Sequence, residues 1–161
     1  MDFMEVVRNR RSIRRYKPDP VPEDALMEIL EAGRLAPSGS NRQPWHFVVV
    51  KSKETRDAMG APDWVADAPV VLVVCGDPEV SATWNVVDPT IAMEHMILAA
   101  TNLGLGTCWI GRLGRDEQVK KVLDIPGHLK VIAITPIGYP DESPPPRDRK
   151  SLDQIVHNEK F

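Results

Sequence analysis

A chain of 161 residues has the size of one domain, so residues 1–161 are read as a single unit, long enough to bury a core without disulfides or metals. With 42% hydrophobic and 27% charged residues the composition excludes a disordered chain, and no apolar run is long enough to span a membrane. A net charge of −3 excludes general attraction to nucleic acid or to an anionic membrane surface.

Asp2 and Glu5 stand where a signal peptide would begin with basic and then apolar residues. Cys75 and Cys108 are isolated, which fits reduced thiols and a cytoplasmic protein. Phe3, Val6 and Val7 have the spacing of a short amphipathic helix over Met1 to Asn9. That helix feeds an unusual run: five of the eight residues from Arg8 to Arg15 are arginine. A cluster this compact suits one small anion, such as a phosphate, better than a long polyanion. Pro22, Glu23 and Asp24 then start a helix, with a proline in the first turn and acids at the positive helix end. Leu26, Ile29, Leu30, Gly33 and Ala36 continue it, and Pro37 to Asn41 stop it with turn-forming residues.

Trp45 to Lys51 and Val70 to Cys75 read as strands because β-branched residues run together there, with a short helical or irregular piece from Glu54 to Asp67 between them. Pro89 to Leu103 is the longest predicted helix. Its apolar residues fall on more than one side, so it must be buried nearly all round, at the centre of the fold or at a subunit interface. Thr107 to Ile110 is a short predicted strand, Asp116 to Leu123 a helix, Leu129 to Ile137 a strand, and Ser151 to Val156 a last helical turn. Pro144 to Pro146 form a rigid spacer that ends at a second basic group, Arg147 to Lys150.

Ser12 amid the first arginines offers a hydroxyl and a backbone N–H, the usual company of a bound phosphate. Guanidinium forks from the two basic groups could converge on one phosphate dianion, although a solvated helix end is the plainer alternative. Gly104 and Gly106 do not make a dinucleotide fingerprint, since they follow a helix and precede a strand. His46, His95, His128 and His157 lack metal-ligand spacing, so no metal is expected, and no nucleophile elbow exists. No side chain stands out as a catalytic group, so a cofactor must carry any chemistry.

Three blocks together resemble the nitroreductase family: Arg10 to Tyr16 (RRSIRRY), Ala36 to Trp45 (APSGSNRQPW) and Gly104 to Gly111 (GLGTCWIG). Ala68 to Val71, Ile137 to Pro140 and Arg147 to Lys150 extend the resemblance in order over nearly the whole chain. It implies an α+β, three-layer α/β/α fold, with a central mixed, mainly antiparallel sheet flanked by helices. It also implies an intertwined homodimer with FMN at its interface and the helix from Pro89 to Leu103 in the dimer core. By the same resemblance Arg10, Ser12, Arg149 and Arg147 hold the FMN phosphate, Arg11 lies in the same loop, and Arg14 sits near the pyrimidine edge. Arg14 would there favour the negative charge that builds on the flavin when N5 accepts hydride. Pro37, Ser38, Asn41 and Gln43 match a loop touching the flavin bound mainly to the other subunit. Ile110 and Gly111, with neighbouring Arg112, match the strand end whose N–H points at flavin N5. Arg8 and Arg15 are read as ordinary surface residues.

The implied activity is ping-pong hydride transfer from NADH or NADPH through FMN to a nitroaromatic, quinone or similar flat oxidant. Dehalogenation or flavin cleavage on the same fold is the alternative, and a non-catalytic flavin carrier or sensor is a third reading. The chain is shorter than larger members and lacks their inserted covering helices, which implies an open cleft. Trp64, Trp84 and Trp109 could wall that cleft or pack in the core, and Trp109, lying in a matched block, is the best placed.

Overall fold

The chain enters α1 (Phe3–Asn9) through a capping box, in which the Asp2 side chain accepts from the Glu5 N–H and the Glu5 side chain from the Asp2 N–H. This is a computed structural model, and it describes residues 1–161. Glu23 and Asp24 open α2 (Glu23–Arg34), and a 3-10 turn at Gly39–Asn41 follows. Then come β1 (Trp45–Val50), α3 (Lys53–Ala58), α4 (Asp63–Ala66), β2 (Val70–Gly76) and α5 (Val87–Asn102). The chain continues through β3 (Gly106–Thr107), β4 (Ile110–Gly111), α6 (Glu117–Val122), β5 (Lys130–Gly138) and a closing 3-10 turn at Leu152–Gln154.

The sheet runs β1-β2-β5-β3, with β4 also pairing β5. All of these strand pairs are antiparallel, and a parallel bridge from Ser12 to Thr107 adds the mixed character. Every residue of β2 is buried, because the sheet is covered on both faces. Val70, Leu72 and Val74 pack with Leu26 and Ile29 of α2 and with Met93, Met96 and Ile97 of α5. Val71, Val73 and Cys75 point the other way, into a second cluster with Met59, Val65 of α4 and Val119 of α6. Two helical layers around one sheet give the expected three-layer α+β architecture. No helix is long and apolar enough to cross a membrane.

One predicted element divides. The strand expected over Thr107 to Ile110 is two short strands, β3 and β4, with Cys108 and Trp109 between them. The cause is local: the Cys108 N–H donates to the buried Thr135 hydroxyl at 3.2 Å rather than to a strand carbonyl, and the ladder breaks there.

Helix α5 is not enclosed on every side within one chain. Ala92, Met93, Met96, Ile97 and Ala100 are buried, whereas Ile91, Leu98 and Ala99 are half-buried and Val87 is exposed.

Candidate functional site

The arginine run is held as an extra extended segment along the sheet edge. The Ile13 N–H donates to the Thr107 carbonyl at 2.8 Å, Lys17 to Tyr139 at 2.9 Å, and Asp141 back to Arg15 at 2.9 Å. Ile13 is buried against Gly106, where an added Cβ would lie 2.8 Å from Ile13 Cγ1. In an extended chain alternate side chains point to opposite faces, so burying Ile13 turns Ser12 and Arg14 outward together. The Tyr16 hydroxyl donates to the Ile13 carbonyl at 2.5 Å, and burial pushes its pKa upward. Glu142 pins the same segment by accepting the Arg14 N–H at 2.6 Å, and it also pairs with Arg15 at 3.6 Å.

Pro144, Pro145 and Pro146 then bring the second basic group back across the first. The result is a cavity of about 590 Å³ lined by Arg8, Arg10, Arg11, Ser12 and Arg14 from one segment and by Arg147 and Arg149 from the other. None of its six arginines makes an ion pair, and no carboxylate lines the cavity. Arg11 is used structurally, donating from one Nη to the Arg8 and Arg10 carbonyls at 2.6 and 2.8 Å. Arg14 lies 5.8 Å from the centre of the Trp64 ring, a cation–π contact that steadies a long exposed side chain. Burial pushes the Cys108 thiol up, against the opposing pull of Arg14, a hydrogen bond with Ser12, and Arg10. The residues suit a phosphate group: several guanidinium donors and a hydroxyl converge without any competing anion.

Of the residues expected at a flavin site, Arg10, Arg11, Ser12, Arg14, Arg147 and Arg149 share this cavity. Arg8, expected to be an ordinary surface residue, is exposed in the last turn of α1 and also lines the cavity. Arg15 is exposed and paired with Glu142.

Ile110 and Gly111 form β4 opposite Ile134 and Ala133 and do not line the cavity. Gly111 is exposed, and a Cβ there would lie 3.9 Å from the Trp109 indole nitrogen. Neighbouring Arg112 has two buried guanidinium nitrogens with no acceptor, and burial lowers its pKa.

Pro37, Ser38, Asn41 and Gln43 lie elsewhere, in the loop between α2 and β1. Ser40, Asn41 and Gln43 all have left-handed backbone, with φ of 52°, 55° and 53°. Three such non-glycine residues in four positions are costly and persist only where surrounding contacts fix them. Those contacts are present. The Gln43 N–H donates to the Ser38 hydroxyl at 3.0 Å, and the Gly39 N–H donates to the buried Asp88 carboxylate at 3.1 Å. Gly39 also fits against Trp84, whose Cδ1 would be 2.6 Å from an added Cβ. Pro37, Asn41 and Gln43 are nonetheless exposed, and this loop lines no part of the arginine cavity of its own chain.

The sequence profile described as the Nitroreductase family matches residues 7–63 and 57–139. A protein of Methanothermobacter thermautotrophicus, provisionally named an NADH dehydrogenase/NAD(P)H nitroreductase, is 38% identical over all of this chain and 88% of its own length. A like-named protein of Parabacteroides distasonis has a solved structure that superposes with a TM-score of 0.94 at 31% identity, covering 100% of this chain and 99% of the other. The FMN-dependent nitroreductase of Clostridium difficile R20291 superposes with a TM-score of 0.87 at 32% identity, covering 98% and 99%. By sequence and by fold, this chain belongs to the nitroreductase family.

Proposed function

We propose that residues 1–161 form one FMN-binding domain working as an intertwined homodimer, with the FMN phosphate held in the arginine cavity. The chain is an oxidoreductase of the FMN-dependent, NAD(P)H-using kind named among its relatives. The observation that carries this reading is six guanidinium groups in one cavity with no carboxylate among them. A phosphate dianion relieves their repulsion and accepts several charge-assisted hydrogen bonds at once.

Arg10, Ser12, Arg147 and Arg149 grip the phosphate in this reading, while Arg11 stiffens the loop through its two carbonyl contacts. When bound, FMN supplies the two-electron carrier between NADH or NADPH and a flat oxidant such as a nitroaromatic or a quinone. Arg14 directs positive charge toward the ring, and Trp64 restricts where that charge can go. The strand end at Ile110 and Gly111 would be the part of the chain nearest the ring edge in this reading. Pro37, Ser38, Asn41 and Gln43 of a second copy complete the pocket, which accounts for a rigid, strained loop with no ligand role in its own chain. In this reading protons reach the site from solvent.

Exposed apolar surface supports the dimer. Phe3, Met4 and Val7 of α1, Trp84 and Val87 beside α5, and Leu152, Ile155 and Val156 near the C-terminus are all uncovered. The reading is tested by mixing the yellow protein anaerobically with NADH and, separately, NADPH. Prompt bleaching with either is expected. Colour that persists with both would overturn the nicotinamide-dependent activity.

A further inference from the structure

The sheet has a second chemical end, remote from the arginine cavity and independent of the function proposed above. Strand β5 starts at Lys130 opposite Gly76 and ends at Gly138 opposite Gly106, so its nine residues separate the two ends by roughly 25 Å. At the Lys130 end, antiparallel register collects the start of β1, the end of β2 and the approach to β5. Four potential ligands lie there: His46, Asp77, Glu79 and His128.

One ligand atom each from Asp77, Glu79 and His128 lie within 4.8 Å of one another. His46 Nε2 comes from the neighbouring strand to 3.6 Å from Asp77 Oδ2. Asp77 is buried and firmly set: its Oδ1 accepts the Glu79 and Val80 N–H groups at 2.8 and 3.3 Å, and its own N–H donates to Pro44 at 2.8 Å. Those contacts occupy Oδ1 and leave Oδ2 as the atom facing the His46 imidazole. No lysine or arginine pairs with either carboxylate.

We propose that His46, Asp77, Glu79 and His128 form a binding site for a borderline divalent cation of the zinc type. Two imidazoles with two carboxylates make a four-donor nitrogen and oxygen set, which suits zinc better than magnesium or calcium. Zinc bonds of about 2.0–2.2 Å place tetrahedral donors roughly 3.3–3.6 Å apart, so Asp77, Glu79 and His128 must contract by about an ångström, and the exposed His46 side chain, already 3.6 Å from Asp77, must turn toward the other two. The exposed side chains of Glu79 and His128 are free to supply that movement, while buried Asp77 stays fixed by outer hydrogen bonds. A cation here joins three separate strand ends, including edge strand β1, and binds only the folded chain, so it stabilises the fold by mass action.

The test is equilibrium dialysis of untagged, FMN-loaded protein against Zn²⁺ after chelator treatment, with bound metal counted per chain. The expected result is one Zn²⁺ per chain, displaced poorly by excess Mg²⁺, with a higher unfolding temperature in the loaded form. Glu79→Gln with His128→Ala should weaken binding at least about tenfold, since even outer-sphere partners carry that much. Asp77→Asn should do the same while keeping the turn, because an amide oxygen can still accept both N–H groups. Absence of stoichiometric Zn²⁺, equal binding by the variants, or displacement by equimolar Mg²⁺ would each overturn the site.

Discussion

The arginine cavity and the loop from Pro37 to Gln43 are two regions built on opposite terms. The cavity is assembled from distant segments of one chain, tied by backbone bonds from Ile13 to Thr107 and from Asp141 to Arg15, and none of its guanidinium groups pairs with a carboxylate. The loop is local in sequence and is held by hydrogen bonds within itself, yet it has three left-handed residues and lines no part of the arginine cavity of its own chain. Excess charge marks the first region as a place for a ligand within the chain. Stored backbone strain marks the second as a rigid surface offered outward.

The largest expected effect separates the two regions most sharply. Replacing Arg10 and Arg149 together by alanine removes two charge-assisted contacts worth about 1.5–3 kcal/mol each, so FMN affinity should fall about 100- to 10,000-fold. Circular dichroism should be unchanged, because neither side chain belongs to the core. Full FMN content in purified double variant would remove the phosphate from this cavity.

Gly39→Ala probes the other region. Its new Cβ would meet Trp84 at 2.6 Å, so a loss of about 1–3 kcal/mol in urea unfolding is expected, together with weaker FMN binding. Lost stability with unaltered FMN affinity would show that the loop has no part in the pocket. Ser38→Ala is milder. It removes the acceptor for the Gln43 N–H, worth about 1 kcal/mol, and should weaken FMN roughly fivefold in a fluorescence titration. The smallest effect belongs to Arg14→Gln, which should lower the flavin midpoint potential by about 20–40 mV, equivalent to about 1–2 kcal/mol for two electrons. An unchanged potential would mean that Arg14 serves only the loop.

The same contrast explains what could be read from the sequence. Strand β2 was legible because a β-branched run buried on both faces has one plausible conformation, and α5 because its apolar residues exceed one helical face. The basic lining at Arg10, Ser12 and Arg14 was legible as unbalanced local charge. The break between β3 and β4 was not, because it depends on the hydroxyl of Thr135, a residue distant in sequence. The place of Arg8 on the cavity lining was not legible, because the cavity forms only where the segment from Pro144 to Arg149 returns. The His46, Asp77, Glu79 and His128 cluster was illegible for a related reason: strand register, not spacing, collects it. Interactions carried by composition could be read in one dimension, and those carried by register could not.

Recognition of the FMN phosphate by the arginine cavity is measured by comparing FMN with riboflavin, which has the same ring and no phosphate. Dissociation constants should be measured for both ligands with the parent chain and with the Arg10→Ala, Arg149→Ala variant. The expected result is a preference for FMN of at least about 100-fold in the parent, collapsing toward parity in the variant. Equal affinity for the two ligands in the parent, or a preference that survives in the variant, would contradict it.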